Sequence, residues 1–140
     1  MRIGATVACY NRERFIGPYL DMLLDFGVTP VVTLGDKPWV SQSSDESLEK
    51  DRTERILDKF FPNVKVIKGE FLHHRDSINK ALDGRLRDMD LIIVNDCDMY
   101  ITRSDWEEFL KFVNDNRNFD VYAINFERMI IEYYYDWKYG

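Results

Sequence analysis

The chain has 140 residues, 45% of them hydrophobic and 14% aromatic, so it can bury the core of one compact domain and is too short to suggest two. Acidic residues outnumber basic ones by 25 to 19, and a formal charge of −6 argues against non-specific binding to nucleic acid or to an anionic membrane. No apolar stretch approaches the roughly 20 residues that cross a bilayer, and the first residues lack the apolar segment of a signal peptide. We therefore expect no membrane segment and a cytoplasmic protein.

The first part of the chain alternates between strand and helix patterns. Arg2–Tyr10 has the composition of a strand, and apolar residues then recur at helical spacing over Phe15–Leu23. Gly27 is placed to end this helix, because glycine adopts a left-handed conformation easily. A second strand is predicted over Val31–Leu34, and the Gly, Pro and Ser residues of Gly35–Ser44 predict an irregular loop.

The middle of the chain repeats the alternation. Ser43 and Glu46 form a capping-box pattern that predicts the start of a charged helix, which Pro62 would close. A third strand is predicted over Val64–Ile67, and a further helix follows His73-His74-Arg75. Because adjacent residues cannot share one face of a helix or strand, we expect the two histidines in solvent rather than on a metal.

The most informative stretch is Met89–Asp98, an apolar run that ends in two carboxylates. The branched residues Leu91–Val94 predict a strand buried on both faces, and ligands gather beyond the carboxyl ends of such strands. Since side chains alternate along a strand, Asp96 and Asp98 would leave on the same side and Cys97 on the other. Two hard oxygen ligands in one opening suit Mn²⁺ or Mg²⁺, which complete their coordination with water and phosphate oxygens.

The last part of the chain predicts one more helix and one more strand. Ser104 with Glu107 is a second capping-box pattern, and it opens a helix whose apolar side carries Trp106, Phe109, Leu110 and Val113. A fifth strand is predicted over Val121–Ile124. Strands that alternate with helices, without an internal repeat, indicate an α/β domain over residues 1–126 with a largely parallel sheet covered on both faces. The aromatic residues 127–140 fit an edge strand, a binding surface or a contact in a homo-oligomer.

The two cysteines, Cys9 and Cys97, both fall in strands that we expect to be buried. We therefore predict unoxidised core thiols. A catalytic thiol is the weaker interpretation, because neither cysteine has an adjacent histidine and an aliphatic setting would raise a thiol pKa.

Four short motifs, taken in order, resemble the GT-A fold glycosyltransferases, specifically glycosyltransferase family 2, which use nucleotide-sugar donors. The first strand runs into Tyr10-Asn11-Arg12-Glu13, similar to the family's Tyr-Asn-x-Glu, and the metal motif Asp-x-Asp resembles Asp96-Cys97-Asp98. Asp36 follows the second strand, as an acid does in the family, although paired acids and Gly-Ser are missing here. In the family, a helix after the third strand carries an Arg and an Asn, which Arg75 and Asn79 resemble. The resemblance implies that the matching positions contact the donor or its metal, and these are Tyr10, Asn11, Glu13, Asp36, Arg75, Asn79, Asp96 and Asp98.

The resemblance implies a three-layer α/β/α, Rossmann-like fold and a role for several of these residues. Tyr10 would stack on the nucleotide base, Asp36 would accept from its ring N–H, and Arg75 would approach the base or the phosphates. Asp96 would reach the ribose or a metal-bound water, and Asp98 would bind the metal directly. A purely structural role is the alternative for three of them: a packed aromatic for Tyr10, a turn-forming acid for Asp36 and a surface charge at a helix start for Arg75.

The acceptor side departs from the family. Inverting members use a carboxylate base in a segment well beyond the metal motif, and the late acids here are Glu127, Glu132 and Asp136. We therefore expect either the donor-binding half of a longer protein or a rebuilt acceptor side. Two alternatives stay open: a non-catalytic interaction or oligomerisation domain of the same fold, and a sugar-phosphate nucleotidyltransferase, although the first strand lacks a glycine-rich triphosphate loop.

Overall fold

The computed structural model describes residues 1–40 and 49–121. Strands and helices alternate along this part of the chain, as the sequence predicts. In chain order they are β1 (Ile3–Cys9), α1 (Ile16–Asp25), β2 (Thr29–Gly35), α2 (Thr53–Asp58), β3 (Lys65–Gly69), α3 (His74–Leu82), β4 (Leu91–Val94) and α4 (Arg103–Asp115).

The four described strands form one parallel sheet in the order β3-β2-β1-β4. In the centre, Thr6 of β1 lies opposite Val31 of β2 on one side and Val94 of β4 on the other. Parallel neighbours need a crossover connection, and the intervening helices provide it. The predicted α/β class with a parallel sheet is confirmed.

Helices cover both faces of the sheet, which gives three layers. One face of β1, with Ala5, Val7 and Cys9, joins the larger core cluster together with apolar residues of α1, α2 and α4. The other face packs against α3 and the turn after it, where Ala81 and Leu86 are fully buried. Because β1 and β2 are covered on both sides, they contain almost only buried residues.

The first helix ends where the sequence predicts. Gly27 has a φ of +74°, and its N–H donates to the Leu24 carbonyl at 3.0 Å. The N–H of Val28 donates to the Leu23 carbonyl at 2.9 Å, which satisfies another carbonyl of the last turn. A glycine at this position therefore lets the chain leave α1 and enter β2 within a few residues.

The second helix is shorter than predicted. It begins at Thr53, and Glu49–Arg52 are not helical. The expected cap at Ser43 and Glu46 lies outside the described residues. A helix running through Glu49 is ruled out because backbone groups of this segment bond to the loop after β1 instead of to a helical turn.

The strand β4 is less buried than predicted. It lies at the edge of the described sheet, its first three residues are half-buried, and Val94 is 57% exposed. The predicted fifth strand lies outside the described residues except for Val121, which is not in a strand. The aromatic residues 127–140 lie outside them as well.

The cap of the last described helix lies two residues before the expected one. Thr102 rather than Ser104 is the N-cap, and its Oγ1 accepts from the Asp105 N–H at 3.2 Å. Thr102 therefore caps α4 in place of Ser104, and the Asp105 carboxylate accepts from the Thr102 hydroxyl at 2.7 Å. The predicted apolar side of α4 is confirmed, with Trp106 and Val113 buried.

Within residues 1–40 and 49–121, no helix is long and apolar enough to cross a membrane.

Candidate functional site

The residues that follow β1, β2 and β4 lie at one edge of the sheet, because these strands are parallel neighbours. They are Tyr10–Glu13 after β1, Asp36 after β2 and Asn95–Asp98 after β4. The structure therefore brings the predicted motifs of three strands to the same edge. In such sheets ligands bind beyond this edge, so we treat it as the candidate site.

Asn11 fixes the loop after β1 to the segment before α2. It has a φ of +47°, a left-handed conformation that asparagine tolerates better than most residues. Its Nδ2 donates to the Glu49 carbonyl at 2.8 Å, and its Oδ1 accepts from the Asp51 N–H at 3.2 Å. The side chain thus satisfies one acceptor and one donor of a backbone that is not helical.

A second set of hydrogen bonds joins the same two segments. Asp51 accepts from the Glu13 N–H at 3.1 Å, and from the N–H and hydroxyl of Thr53 at 2.8 and 2.5 Å. The Thr53 hydroxyl oxygen accepts from the Arg12 N–H at 2.7 Å. Glu13 accepts from the backbone N–H and the Nε of Arg52 at 3.2 and 3.0 Å. We call residues 11–13 and 49–53 the loop clamp.

The loop clamp gives Asn11 and Glu13 a structural role that sequence reasoning missed. Both were expected to contact the donor, and both bond to the segment before α2. Nothing in the local sequence around either residue indicates that it bonds to the segment before α2, which lies 38 to 40 positions further along the chain. Their contact with a donor stays a prediction.

Tyr10 is buried, with 2% of its surface exposed. It lines a small cavity of about 30 Å³ together with Leu34, Gly35 and Lys50. This volume is the space of about one water molecule. Stacking of Tyr10 on a nucleotide base stays a prediction, and it requires the ring to become accessible.

Asp36 lies at the predicted end of β2. Its N–H donates to the Gly69 carbonyl at 2.8 Å, which extends the pairing of β2 with β3. Its carboxylate is 54% exposed, and Oδ1 lies 3.5 Å from the Nζ of Lys50. An exposed ion pair of this kind adds little stability, but it places a cation from the loop clamp beside Asp36.

Asp96 and Asp98 occupy different environments. The Asp96 side chain is 62% exposed, whereas Asp98 is half-buried and its Oδ1 is fully buried. Strand alternation does not apply to them, because β4 ends at Val94, and the N–H of Asp96 donates to the Asn95 side chain at 2.9 Å. The strand argument for a shared opening is therefore wrong, and a shared cation stays a prediction.

Asp96 and Asp98 are the carboxylates at this edge that could hold a metal ion. The described residues contain no group of three or more His, Cys, Asp or Glu side chains that could hold a metal. Two carboxylates, one of them exposed, fit Mn²⁺ or Mg²⁺ bound mainly by water and by phosphate oxygens of a ligand.

His74 lies beside Asp96, which sequence reasoning missed. Its Nε2 is 3.6 Å from Asp96 Oδ1, and its ring packs edge-on against Trp39 with centroids 4.8 Å apart and planes at 85°. His73 is exposed, as predicted for both histidines, whereas the His74 side chain is 42% exposed. Position 74 opens α3, which brings its side chain to the carboxyl edge.

Arg75 and Asn79 both lie on α3 and are exposed. The Arg75 side chain is 79% exposed, and its Nε is 3.8 Å from Asp76. The structure does not bury either side chain against the candidate site. Their contact with a donor stays a prediction.

Cys9 and Cys97 are free and buried, as predicted, although Cys97 lies after β4 rather than in it. Burial raises the pKa of the Cys9 thiol well above its usual range and that of Cys97 to about 12, because a thiolate would lose its hydration. The positive charge of the Arg12 guanidinium lowers the pKa of both thiols, but by less than burial raises it. The thiols lie directly beneath the candidate site and are unsuited to nucleophilic chemistry.

These buried thiols predict a loss of stability at alkaline pH. The unfolded state releases the Cys97 proton near pH 9 and the folded state near pH 12, so the stability present below pH 9 falls as pH rises between these values. At pH 10.5 we expect the Cys97 thiol alone to cost about 2 kcal/mol of unfolding free energy. Urea unfolding from pH 7.5 to 10.5, under reductant, measures this decline, and Cys97→Ala should make it shallower. An equal decline in the variant would contradict the prediction.

Comparisons with known proteins were made on sequence and on fold. No protein-family model matches the sequence, and no curated protein matches it. The fold is similar to the crystal structure of S. aureus TarS 1-349, a GT-A-like glycosyltransferase, with a TM-score of 0.53 and 19% identity over 84% of this chain. The chain has a glycosyltransferase-like fold. It spans about one third of the TarS structure, 33% of that chain.

At this identity, the likeness to TarS shows the fold. It agrees with the three-layer α/β/α arrangement described above, in which the motifs after β1, β2 and β4 meet at one edge. The narrower resemblance to glycosyltransferase family 2 rests on the four sequence motifs.

Proposed function

We propose that this chain binds a nucleoside-diphosphate sugar with the help of a divalent metal, as a glycosyltransferase or as its donor-binding half. One observation carries the proposal. In a glycosyltransferase-like fold, Asp96 and Asp98 follow β4 at the carboxyl edge, and β4 pairs directly with β1, whose end carries Tyr10-Asn11.

The width of this edge supports a nucleoside diphosphate as ligand. Neighbouring strands lie about 4.8 Å apart, so the ends of β4 and β2 are separated by about 10 Å across β1. That span is comparable to the distance from a nucleobase to its diphosphate. A diphosphate near Asp96 and Asp98 would thus leave the base near Asp36.

The charge of the chain supports a metal in this role. With a formal charge of −6, the protein repels a diphosphate unless a cation intervenes. Asp98, with a buried Oδ1, and the exposed Asp96 would hold Mn²⁺ or Mg²⁺ between them. When bound, such an ion neutralises the negative charge that develops on the departing diphosphate.

The proposal assigns donor binding to the described residues and leaves the acceptor and the catalytic base unassigned. The late acids Glu127, Glu132 and Asp136 lie outside the described residues. Because the chain spans about a third of TarS, sugar transfer by the whole protein belongs to the proposal as well.

Calorimetry with UDP and with GDP tests the proposal. We expect one of the two to bind in the presence of Mn²⁺ and neither to bind with EDTA. Asp98→Asn should weaken binding by at least about 100-fold, since even groups that only orient metal ligands are worth 10- to 100-fold in affinity. Circular dichroism and thermal unfolding of the variant show that the fold is kept.

Asp88→Asn is the matched control. Asp88 is exposed and precedes β4, so it lies at the opposite edge of the sheet, and its replacement should leave binding unchanged. Equal affinity in EDTA, or an equal loss in Asp88→Asn, would contradict a metal site at Asp98. Binding of neither nucleotide would favour a non-catalytic interaction domain, and release of pyrophosphate from a nucleoside triphosphate would favour a nucleotidyltransferase.

A further inference from the structure

A chain of contacts runs from the buried side of α3 to the candidate metal motif. The Nε1 of Trp39 donates to the Ser77 hydroxyl oxygen at 3.0 Å, and Ser77 is fully buried. The Trp39 ring packs against His74, and His74 Nε2 lies 3.6 Å from Asp96 Oδ1. The contacts therefore join four side chains one after another: Ser77 of α3, Trp39 of the loop after β2, His74 of α3 and Asp96 after β4.

Burial and a hydrogen bond fix the position of the Trp39 ring, which in turn restricts the His74 ring that packs against it. Trp39 is 5% exposed, and a buried indole N–H normally requires a partner, which Ser77 provides. His74 and Ser77 are three residues apart on α3, so they face the same side of the helix. The indole thus contacts both residues, and the edge-on geometry with His74 is one that aromatic pairs prefer.

Asp96 lacks the support that a strand would give. It lies two residues beyond β4, and its side chain is 62% exposed. A carboxylate in this setting can occupy several rotamers, and ordering it on a cation costs side-chain entropy. A separation of 3.6 Å from His74 is longer than a direct hydrogen bond and within ion-pair range.

We propose that His74 is a positioning residue, which holds the Asp96 carboxylate in the rotamer that a divalent cation needs and is itself held by Trp39 and Ser77. Groups that orient a ligating carboxylate typically raise metal affinity by 10- to 100-fold. This inference rests on the proposed function for its metal, but the orientation of Asp96 can be measured without one.

The first measurement is made on the full chain without metal. Three-bond NMR couplings report the χ1 rotamer of Asp96 in EDTA. We expect one dominant rotamer in the wild type, averaged values in His74→Ala, and recovery in His74→Gln, whose amide N–H reaches a similar position. Rotamer averaging in the wild type, or unchanged couplings in His74→Ala, would overturn the proposal.

The second measurement is the affinity for Mn²⁺ alone, from the electron paramagnetic resonance of the free ion. His74→Ala should weaken it by about 10-fold, and His74→Gln should restore most of the loss. His73→Ala is the control, because His73 is the exposed N-cap of α3. This variant tests whether a less stable start of α3 by itself weakens Mn²⁺ binding. Equal losses in both alanine variants would assign His74 a merely structural role.

The two measurements separate this proposal from the proposed function. If the wild type binds neither Mn²⁺ nor a nucleotide while His74→Ala averages the Asp96 rotamer, the proposed function fails and the positioning role stands. If Mn²⁺ and nucleotide bind and His74→Ala changes neither affinity nor rotamer, the positioning role fails and the proposed function stands.

Discussion

Replacement of Trp106 by alanine is expected to lower the free energy of unfolding by about 3–5 kcal/mol. Trp106 is 5% exposed and stacks on Phe26 with ring centroids 5.2 Å apart and planes 5° from parallel. It also contacts Phe109 of its own helix at 5.7 Å. Phe26 is the C-cap of α1, so its contact with Trp106 joins α4 to α1. Removal of the indole would leave a cavity at this contact and in the main core.

Chemical unfolding with urea measures this effect, and Phe112→Ala is the matched control. Phe112 lies on the same helix, but 52% of its surface is exposed, so truncation there should cost less than about 1 kcal/mol. Trp106→Phe should lie between the two, because it keeps a ring against Phe26. A loss at Trp106 no larger than that at Phe112 would show that α4 is not held by this contact.

Replacement of Asp51 by alanine is expected to cost about 2–3 kcal/mol, although the side chain lies near the surface. The reason is that one carboxylate accepts three hydrogen bonds within the loop clamp, from the Glu13 N–H and from the N–H and hydroxyl of Thr53. Thr53 is 2% exposed, so its donors would lose their partner where water has little access.

Two variants separate hydrogen bonding from charge in this prediction. Asp51→Asn keeps one acceptor oxygen and should lose about half as much stability. Asp58→Ala removes an exposed carboxylate at the other end of α2 and should change stability by less than about 0.5 kcal/mol. Equal losses for Asp51→Ala and Asp58→Ala would mean that the clamp bonds contribute no net stability.

The loop clamp also changes how the first motif is interpreted. Tyr10, Asn11 and Glu13 of this motif were expected to contact the donor. In the structure Asn11 and Glu13 bond to Glu49–Arg52, and Tyr10 is buried. The same segment carries Lys50 to within 3.5 Å of Asp36. The motif therefore shapes the edge on which β2 ends, and any donor contact would be made from a loop that is already fixed.

The sequence by itself determined the class of the fold and most of its elements. Apolar periodicity and turn residues are local signals, and they correctly predicted β1, the end of α1 at Gly27, the apolar side of α4 and the parallel sheet. Burial of the two thiols followed from their place in apolar stretches. The carboxyl-edge position of Asp36, Asp96 and Asp98 followed from strand order alone, since each residue comes shortly after a parallel strand.

Only the tertiary structure decided how these residues are held. The start of α2 depends on bonds from Asn11 to backbone groups 38 and 40 residues away, which outweigh the helical pattern around them. The place of His74 depends on Trp39, in a loop that the sequence marks only as irregular. The physical reason is the same in both cases: a hydrogen bond or ring contact between distant segments leaves no periodic trace in either one, so it can be found only when the fold brings them together.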